Sequence, residues 1–101
     1  MANRKKVALV TGSNRGIGFE TARQLGQQGV TVIVTARTGP EAAQVVGKLR
    51  GEGIEAEGIA LDVTKAADRT AAAKFIESHF GKLDILVNNA GVGPVDGLMG
   101  L

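Results

Sequence analysis

The chain is poor in aromatic and sulfur-containing residues. Its 101 residues include no cysteine, tryptophan or tyrosine, and only three phenylalanines and one histidine. Without cysteine, neither a disulfide framework nor a thiolate metal site can form. With so few aromatic rings, a surface that stacks single-stranded bases is not expected. A net charge of +2 is also too small to indicate nucleic acid as a partner.

Long apolar runs are missing as well. No stretch approaches the ~20 apolar residues that would span a bilayer, and residues 1–6 lack the apolar core of a signal peptide. We therefore expect no membrane association and a cytoplasmic location. A hydrophobic content of 44% and a charged content of 22% are typical of a folded globular chain. The length suits a single domain.

Four short apolar runs divide the chain, at residues 7–10, 30–34, 59–63 and 83–87. Their length and their valine and isoleucine content are typical of strands buried on both faces of a parallel sheet. The first amphipathic stretch between them places Ile17, Thr21 and Leu25 on one helical face, with Gly29 as a stop.

Two further helices are predicted. The second begins at Pro40, where the missing N–H costs nothing, and ends at Gly51. The third is expected to take Thr64 as its N-cap and to end at Gly81. Their apolar stripes are Ala42, Val45, Val46 and Leu49 in the second helix, and Ala72, Phe75, Ile76 and His79 in the third.

This alternation predicts an α/β fold with a doubly wound parallel sheet. Right-handed crossovers give the strand order 3-2-1-4, with the first two helices on one face and the third on the other. We expect residues 1–91 to form a half-domain that binds a dinucleotide. Residues 92–101, rich in glycine, are expected to form a loop or tail.

A glycine-rich segment follows the first strand. Residues 11–18 read Thr-Gly-Ser-Asn-Arg-Gly-Ile-Gly, so Gly12 follows the strand while Gly16 and Gly18 open the first helix. Glycines at these places let backbone N–H groups approach a pyrophosphate, and the positive end of the helix faces the anion. A tight turn with a purely structural role is the alternative.

Three motifs together resemble the short-chain dehydrogenase/reductase family. They are the glycine segment, residues 61–63, which read Leu-Asp-Val, and residues 88–91, which read Asn-Asn-Ala-Gly. They stand in the family's order and spacing. The resemblance implies a Rossmann-like fold and an oxidoreductase that depends on NAD or NADP.

The resemblance also assigns roles. The glycine loop would cradle the pyrophosphate, Asp62 would accept a hydrogen bond from the adenine amino group with Val63 as its backbone partner, and residues 88–91 would lie under the ribose. The expected cofactor-binding residues are Gly12, Ser13, Asn14, Arg15, Gly16, Ile17, Gly18, Arg37, Asp62, Val63, Asn88, Ala90 and Gly91. Alternatively, Asp62 caps the turn before the third helix, and Asn88 bonds to backbone at the end of the sheet.

Charge at the end of the second strand indicates the cofactor. An acidic residue there holds the ribose 2′-hydroxyl of NAD, whereas a basic residue accommodates the 2′-phosphate of NADP. This chain has Ala36 followed by Arg37, and Arg15 in the glycine loop is placed to reach the same phosphate. The pair predicts NADP (NADPH) as the cofactor. Two solvated surface arginines are the alternative.

No catalytic residue is predicted in this chain. In the resembled family, a tyrosine and a lysine, together with a serine and an asparagine, follow the Asn-Asn-Ala-Gly motif, and residues 92–101 contain none of these types. We therefore expect the N-terminal, cofactor-binding part of an enzyme, truncated and without turnover alone. His79 is expected to be structural or exposed, and no spacing indicates a metal site.

The expected sheet leaves its fourth strand as an open edge and one face with a single helix. Open edges and exposed apolar faces recruit other chains. We therefore expect a homo-oligomer that associates through the fourth strand or the face of the third helix. Two other functions stay open: a non-enzymatic, self-associating module, and a half-enzyme that a partner chain completes.

Overall fold

The computed structural model describes residues 5–13 and 16–89. Its elements in chain order are β1 (Val7–Val10), α1 (Gly16–Gln27), β2 (Thr31–Ala36), α2 (Gly39–Arg50), β3 (Ala56–Ala60), α3 (Ala66–Phe80) and β4 (Ile85–Val87). Every strand pair is parallel, and the order is β3-β2-β1-β4. The predicted doubly wound sheet with strand order 3-2-1-4 is confirmed. The expected tail at 92–101 lies outside the described residues.

Alternate residues of the central strands face opposite sides of the sheet. Val10, Val32 and Val34 belong to an apolar cluster with residues of α1 and α2. Leu9 and Ile33 belong to a second cluster with residues of α3, and both are fully buried. The two faces are therefore covered as predicted, by α1 and α2 on one side and by α3 on the other.

The buried face of α1 differs from the prediction. Ile17 is 78% exposed, and the residues that α1 buries are Gly18 and Ala22. The helix begins directly against the glycine loop, where a Cβ on Gly18 would overlap the carbonyl oxygen of Gly12. Because only a very small residue fits there, the helix turns Gly18 inward and Ile17 outward. The predicted face is therefore wrong at Ile17.

The helix α2 follows its sequence signals closely. Thr38 is the N-cap, its hydroxyl accepting a hydrogen bond from the Glu41 amide, and Pro40 lies in the first turn. The four residues of the predicted stripe are buried, and Gly51 caps the carboxyl end. The predicted stripe, the place of Pro40 in the first turn and the stop at Gly51 are confirmed, and Thr38 as the N-cap is an addition from the structure.

The strand β3 lies three residues earlier than the predicted 59–63. The Leu61 amide donates to the carbonyl of Ala36 at 2.9 Å, which is the last strand-like contact with β2. The next amide, that of Asp62, donates instead to the side chain of Asp68 in α3. The chain therefore leaves the sheet before Asp62.

Thr64 is not the N-cap of α3. Lys65 occupies that position and makes no side-chain capping bond. The Thr64 hydroxyl instead donates to Oδ1 of Asp62 at 2.6 Å, so it closes the preceding turn. Gly81 ends the helix with a φ of 74°, as predicted.

The strand β4 begins at Ile85, two residues later than predicted. Asp84 pairs with Val7 differently from a strand residue. Its amide donates to the Val7 carbonyl, and its carboxylate accepts from the Val7 amide at 2.8 Å. A side chain thus takes the place of a backbone group at the start of β1.

Candidate functional site

The predicted site residues gather at the carboxyl edge of the sheet. Because the four strands are parallel, their carboxyl ends meet there. The chain leaves β1 into Thr11, β2 into Arg37, β3 toward Asp62 and β4 into Asn88. Ligands of open α/β sheets bind at this kind of edge, at the point where the strand order reverses.

The glycine loop packs tightly against α1. Gly12 and Gly16 have φ values of 60° and 64°, which a residue with a Cβ rarely adopts. A Cβ on Gly18 would overlap the Gly12 carbonyl oxygen and lie 2.6 Å from Nδ2 of Asn89. The side-chain amide of Asn89 also donates to that carbonyl, at 3.2 Å. Gly12, Gly18 and Asn89 therefore form a close-packed unit that joins β1, α1 and the end of β4.

The first turn of α1 carries no acidic side chain. Aspartate and glutamate normally favour this position because the helix end is positive. Because they are absent, no carboxylate of this turn competes for the backbone N–H groups at the helix end. Such an end suits a pyrophosphate, which is an anion. Asn14 and Arg15, also predicted to bind cofactor, lie outside the described residues.

Ser13 faces the interior. It is fully buried, and its hydroxyl donates to the Val10 carbonyl at 2.7 Å and accepts from the Thr35 amide at 2.8 Å. The Gly12 amide donates to the Thr35 hydroxyl at 3.1 Å. The Ser13 hydroxyl thus connects the ends of β1 and β2 by hydrogen bonds to both strands.

Asn88 ties the ends of β1 and β4 together. The Thr11 hydroxyl lies 3.3 Å from the Val87 carbonyl oxygen and 3.2 Å from Oδ1 of Asn88, and the Thr11 amide donates to the same carbonyl. Asn88 itself is exposed. The Asn88 side chain thus accepts a bond at the end of the sheet, from the Thr11 hydroxyl. Ala90 and Gly91, the other two predicted residues of this motif, lie outside the described part of the chain.

Asp62 lies in a closed turn. Its Oδ1 accepts both the hydroxyl and the amide of Thr64, at 2.6 and 3.0 Å. These two bonds hold the pKa of Asp62 below its usual value, and the charges of Lys65 and Arg37 lower this pKa further. The carboxylate is therefore anionic at neutral pH, with Oδ2 accepting no hydrogen bond from residues 5–13 or 16–89.

Val63 is buried, and its carbonyl accepts a hydrogen bond from the Arg69 guanidinium at 2.7 Å. Arg37 is exposed. Because Ala36 pairs with Ala60 at the ends of the adjacent parallel strands β2 and β3, Arg37 and Asp62 follow neighbouring strand ends at one part of the edge. The basic residue predicted to meet a 2′-phosphate and the acidic residue predicted to meet the adenine are thus brought together.

Sequence reasoning missed three residues that build this edge. Thr35 carries the bonds to Gly12 and Ser13, and its one signal was a polar side chain inside a buried run. Asp68 and Arg69 hold the turn at Asp62 and Val63 from α3. Their only signal in the sequence is an acidic residue followed by a basic one early in a helix. This pattern is common on protein surfaces, so it does not single these residues out.

Other possible sites are weaker. A surface groove of about 340 Å³ lies between α2 and β3, away from the glycine loop. A second, of about 250 Å³, lies at the opposite edge of the sheet near Lys5 and Lys82. Among the residues described, no cluster of histidine, aspartate and glutamate could hold a metal ion. In the same part of the chain, no helix has the length and apolarity needed to cross a membrane.

The comparisons with known proteins agree with this geometry. The (-)-isopiperitenone reductase of Mentha piperita is 49% identical over 100 residues, which is 95% of this chain and 32% of that protein. An actinorhodin polyketide ketoreductase solved with NADPH superimposes with a TM-score of 0.82 at 41% identity, over 87% of this chain and 34% of that one. A metagenomic short-chain oxidoreductase solved in complex with NADP gives 0.79 at 42% identity, over 87% and 40%.

The chain spans about a third of the length of the relatives that it matches. The family model described as short chain dehydrogenase matches residues 6–99, which is nearly the whole chain. With the parallel sheet, the glycine loop at α1 and the turn at Asp62, this match leads to one conclusion: the chain belongs to the short chain dehydrogenase family.

Proposed function

We propose that this chain is the NADP(H)-binding part of a short-chain oxidoreductase that transfers hydride between NADP(H) and a carbonyl or alcohol. The observation that carries the proposal is the packing of Gly18 on Gly12 at a helix end without acidic side chains. The Asn89 side chain stabilises this packing by its hydrogen bond to the Gly12 carbonyl. A pyrophosphate fits such a cradle because backbone can approach it closely. Two similar structures were solved with NADPH and NADP, which supports the choice of cofactor.

In this proposal the glycine loop, with Asn14 and Ile17, surrounds the pyrophosphate, and Arg15 and Arg37 meet the 2′-phosphate. Asp62 and Val63 meet the adenine, while Asn88, Ala90 and Gly91 lie along the ribose and the path to the nicotinamide. Ser13 acts by shaping the loop, because its hydroxyl is already bonded to Val10 and Thr35.

NADP(H) is the proposed cofactor because β2 ends in Ala36, where NAD proteins carry an acid, and the basic Arg37 follows it. A charge-assisted bond to phosphate contributes about 1.5–3 kcal/mol when well formed. Arg37 is exposed, so solvent reduces that figure. A preference of about tenfold, equivalent to ~1.4 kcal/mol, is a reasonable expectation.

These 101 residues alone are proposed to bind the cofactor without turnover. They include no tyrosine, the proton donor of the resembled family. General acid–base catalysis needs a positioned group of suitable pKa. Turnover that arises only on mixing with a second chain that supplies the tyrosine and lysine would favour the half-enzyme alternative. A cytoplasmic location remains a prediction from composition.

Self-association is the second part of the proposal. In the described residues β4 pairs on one side only, with β1, and its three residues are partly exposed. We propose a homo-oligomer with β4 or the α3 face at the contact. Obligate association without affinity for a nucleotide would favour the non-enzymatic alternative.

The deciding experiment is a titration with NADPH and NADH, with the oligomeric mass measured in the same samples. The chain has no tryptophan or tyrosine, so calorimetry or the emission of NADPH itself must report binding. Saturable binding of NADPH, tighter than that of NADH, supports the proposal. Equal affinities overturn the choice of cofactor, and the absence of binding at high protein concentration overturns the function.

A further inference from the structure

The turn between β3 and α3 is held from α3 at two points. The Asp62 amide donates to Oδ2 of Asp68 at 2.9 Å. The Val63 carbonyl accepts from the Arg69 guanidinium at 2.7 Å. Asp68 and Arg69 are consecutive residues near the start of α3, so one helical turn holds both ends of a two-residue segment.

These two bonds, together with a third from Lys65, hold the peptide group between Asp62 and Val63. The first holds the peptide plane before Asp62, and the second holds the plane after Val63. The carbonyl of the plane between them accepts from the amide of Lys65, the N-cap of α3, at 3.0 Å, so the start of α3 holds three successive peptide planes. This arrangement fixes the direction of the Val63 N–H. It also fixes the position of the backbone atom from which the Asp62 side chain extends.

The remaining hydrogen-bonding groups of this segment form a complementary pair. Oδ1 of Asp62 is taken by Thr64, and the Asp62 carbonyl accepts from the Lys65 amide. Two groups are left over, the acceptor Oδ2 of Asp62 and the donor N–H of Val63. Neither has a hydrogen-bond partner within residues 5–13 and 16–89. One acceptor and one donor on a rigid peptide can read one edge of a base.

Adenine presents the matching groups on its Watson–Crick edge, with an amino donor beside a ring nitrogen acceptor. Hypoxanthine presents the reverse, a carbonyl acceptor beside an N–H donor. A site that orients a carboxylate acceptor and an amide donor therefore favours adenine, since the wrong base leaves polar groups unpaired. The discrimination depends on the direction of these two groups, which the bonds from Asp68 and Arg69 set together with the bond from Lys65.

We propose that Asp68 and Arg69 are positioning residues that set the adenine selectivity of the NADP(H) site without touching the cofactor. The inference rests on the proposed function. It assigns these two residues to the base-reading end of the site and leaves the preference for the 2′-phosphate to Arg15 and Arg37.

The test compares binding of NADP⁺ and its hypoxanthine analogue by calorimetry. The variants are Asp68→Ala and Arg69→Met, which remove the two bonds separately. Asp68→Asn keeps an acceptor for the Asp62 amide and serves as the conservative variant. Glu77→Ala, on an exposed position of the same helix, is the matched control.

The unmodified chain should bind NADP⁺ about tenfold more tightly than the analogue, because the site is partly open to water. Asp68→Ala and Arg69→Met should each bring this ratio close to one while the preference for NADPH over NADH persists. Asp68→Asn and Glu77→Ala should keep the ratio. Melting temperatures measured alongside separate this effect from a loss of folding.

Any other outcome of these binding measurements contradicts one named part of the proposal. An unchanged ratio in both bond-removing variants contradicts the positioning role. Unfolding of both variants assigns the two bonds to stability alone and also overturns it. Equal binding of both dinucleotides by the unmodified chain overturns the base-reading role but leaves NADP(H) binding intact. Failure of the unmodified chain to bind NADP⁺ overturns the proposed function itself.

Discussion

Ser13 and Thr35 exchange hydrogen bonds across the carboxyl ends of β1 and β2. The Thr35 amide donates to the Ser13 hydroxyl at 2.8 Å, and the Ser13 amide donates to the Thr35 carbonyl at 3.3 Å. Both residues are buried. Since Gly12 precedes Ser13 and Arg37 follows two residues after Thr35, this clasp fixes the glycine loop relative to the arginine proposed to meet the 2′-phosphate.

Replacing Ser13 by alanine should destabilise the fold. The change removes the hydroxyl that accepts from the buried Thr35 amide, at a cost of about 1–3 kcal/mol. Urea unfolding followed by circular dichroism measures the effect. Ser78→Ala, on an exposed position of α3, is the matched control and should change stability by less than about 0.5 kcal/mol. Equal stabilities of the two variants would show that the clasp contributes nothing.

Replacing Gly18 by alanine should abolish NADPH binding and lower stability. The added Cβ would overlap the Gly12 carbonyl and displace Asn89. Gly47→Ala is the matched control, because nothing lies within 4 Å of its Cβ position in α2. There, alanine should stabilise the helix by about 0.5–1 kcal/mol and leave binding unchanged. Normal NADPH affinity in Gly18→Ala would rule out the proposed cradle.

Arg37→Asp should reverse the cofactor preference. A carboxylate at this place repels the 2′-phosphate and accepts a bond from the 2′-hydroxyl of NADH. Arg37→Gln should bring the two affinities close together, and Arg50→Gln, at the far side of α2, should keep the original preference. Calorimetric titrations with NADPH and NADH measure all four proteins. A persistent preference for NADPH in Arg37→Asp would contradict the role of this arginine.

Acid should destabilise the protein partly through Asp84. The bond from the Val7 amide, followed by the contacts of Lys82, holds the pKa of Asp84 below its usual value. Because the folded pKa is depressed, the contribution is complete above the unfolded pKa of about 3.9 and is lost as pH falls through the folded pKa. Asp84→Asn should therefore flatten the acid limb of stability below about pH 4.

The check is the free energy of unfolding measured from pH 2 to 7 on both proteins. Glu77→Gln removes an exposed carboxylate from α3 and serves as the control. An acid limb of the same steepness in Asp84→Asn and in the unmodified chain would refute this role.

Ile85→Lys should weaken self-association. Ile85 is half-buried in β4, next to Ala8 of β1, and apolar burial is worth about 25 cal/mol per Å². A charged side chain at the contact should shift the sedimentation mass toward the monomer or leave the chain insoluble. Ile17→Lys, at an exposed position on α1, should leave the mass unchanged. A well-folded monomer of the unmodified chain at high concentration would disprove the association.

Much of the fold could be predicted from local signals. The apolar stripe of α2, its stop at Gly51 and the apolar runs of β1 and β2 have strong local causes. Prediction failed where distant contacts decided the outcome. The stretch after β3 reads as a strand through Val63, yet the bond from the Asp62 amide to Asp68 ends the strand earlier. Helical spacing placed Ile17 on one face with Thr21 and Leu25, because spacing does not reveal how closely α1 approaches Gly12.

The sequence by itself determined the parallel sheet, its strand order and the edge where the motifs meet. Alternating apolar runs and helices with right-handed crossovers leave few other topologies. Only the tertiary structure decided which groups of those motifs remain to meet a ligand. It turned the Ser13 hydroxyl into the core, exposed Ile17, and bound Asp62 and Val63 to α3. These outcomes depend on hydrogen bonds and close packing between elements, whose geometry a linear pattern does not contain.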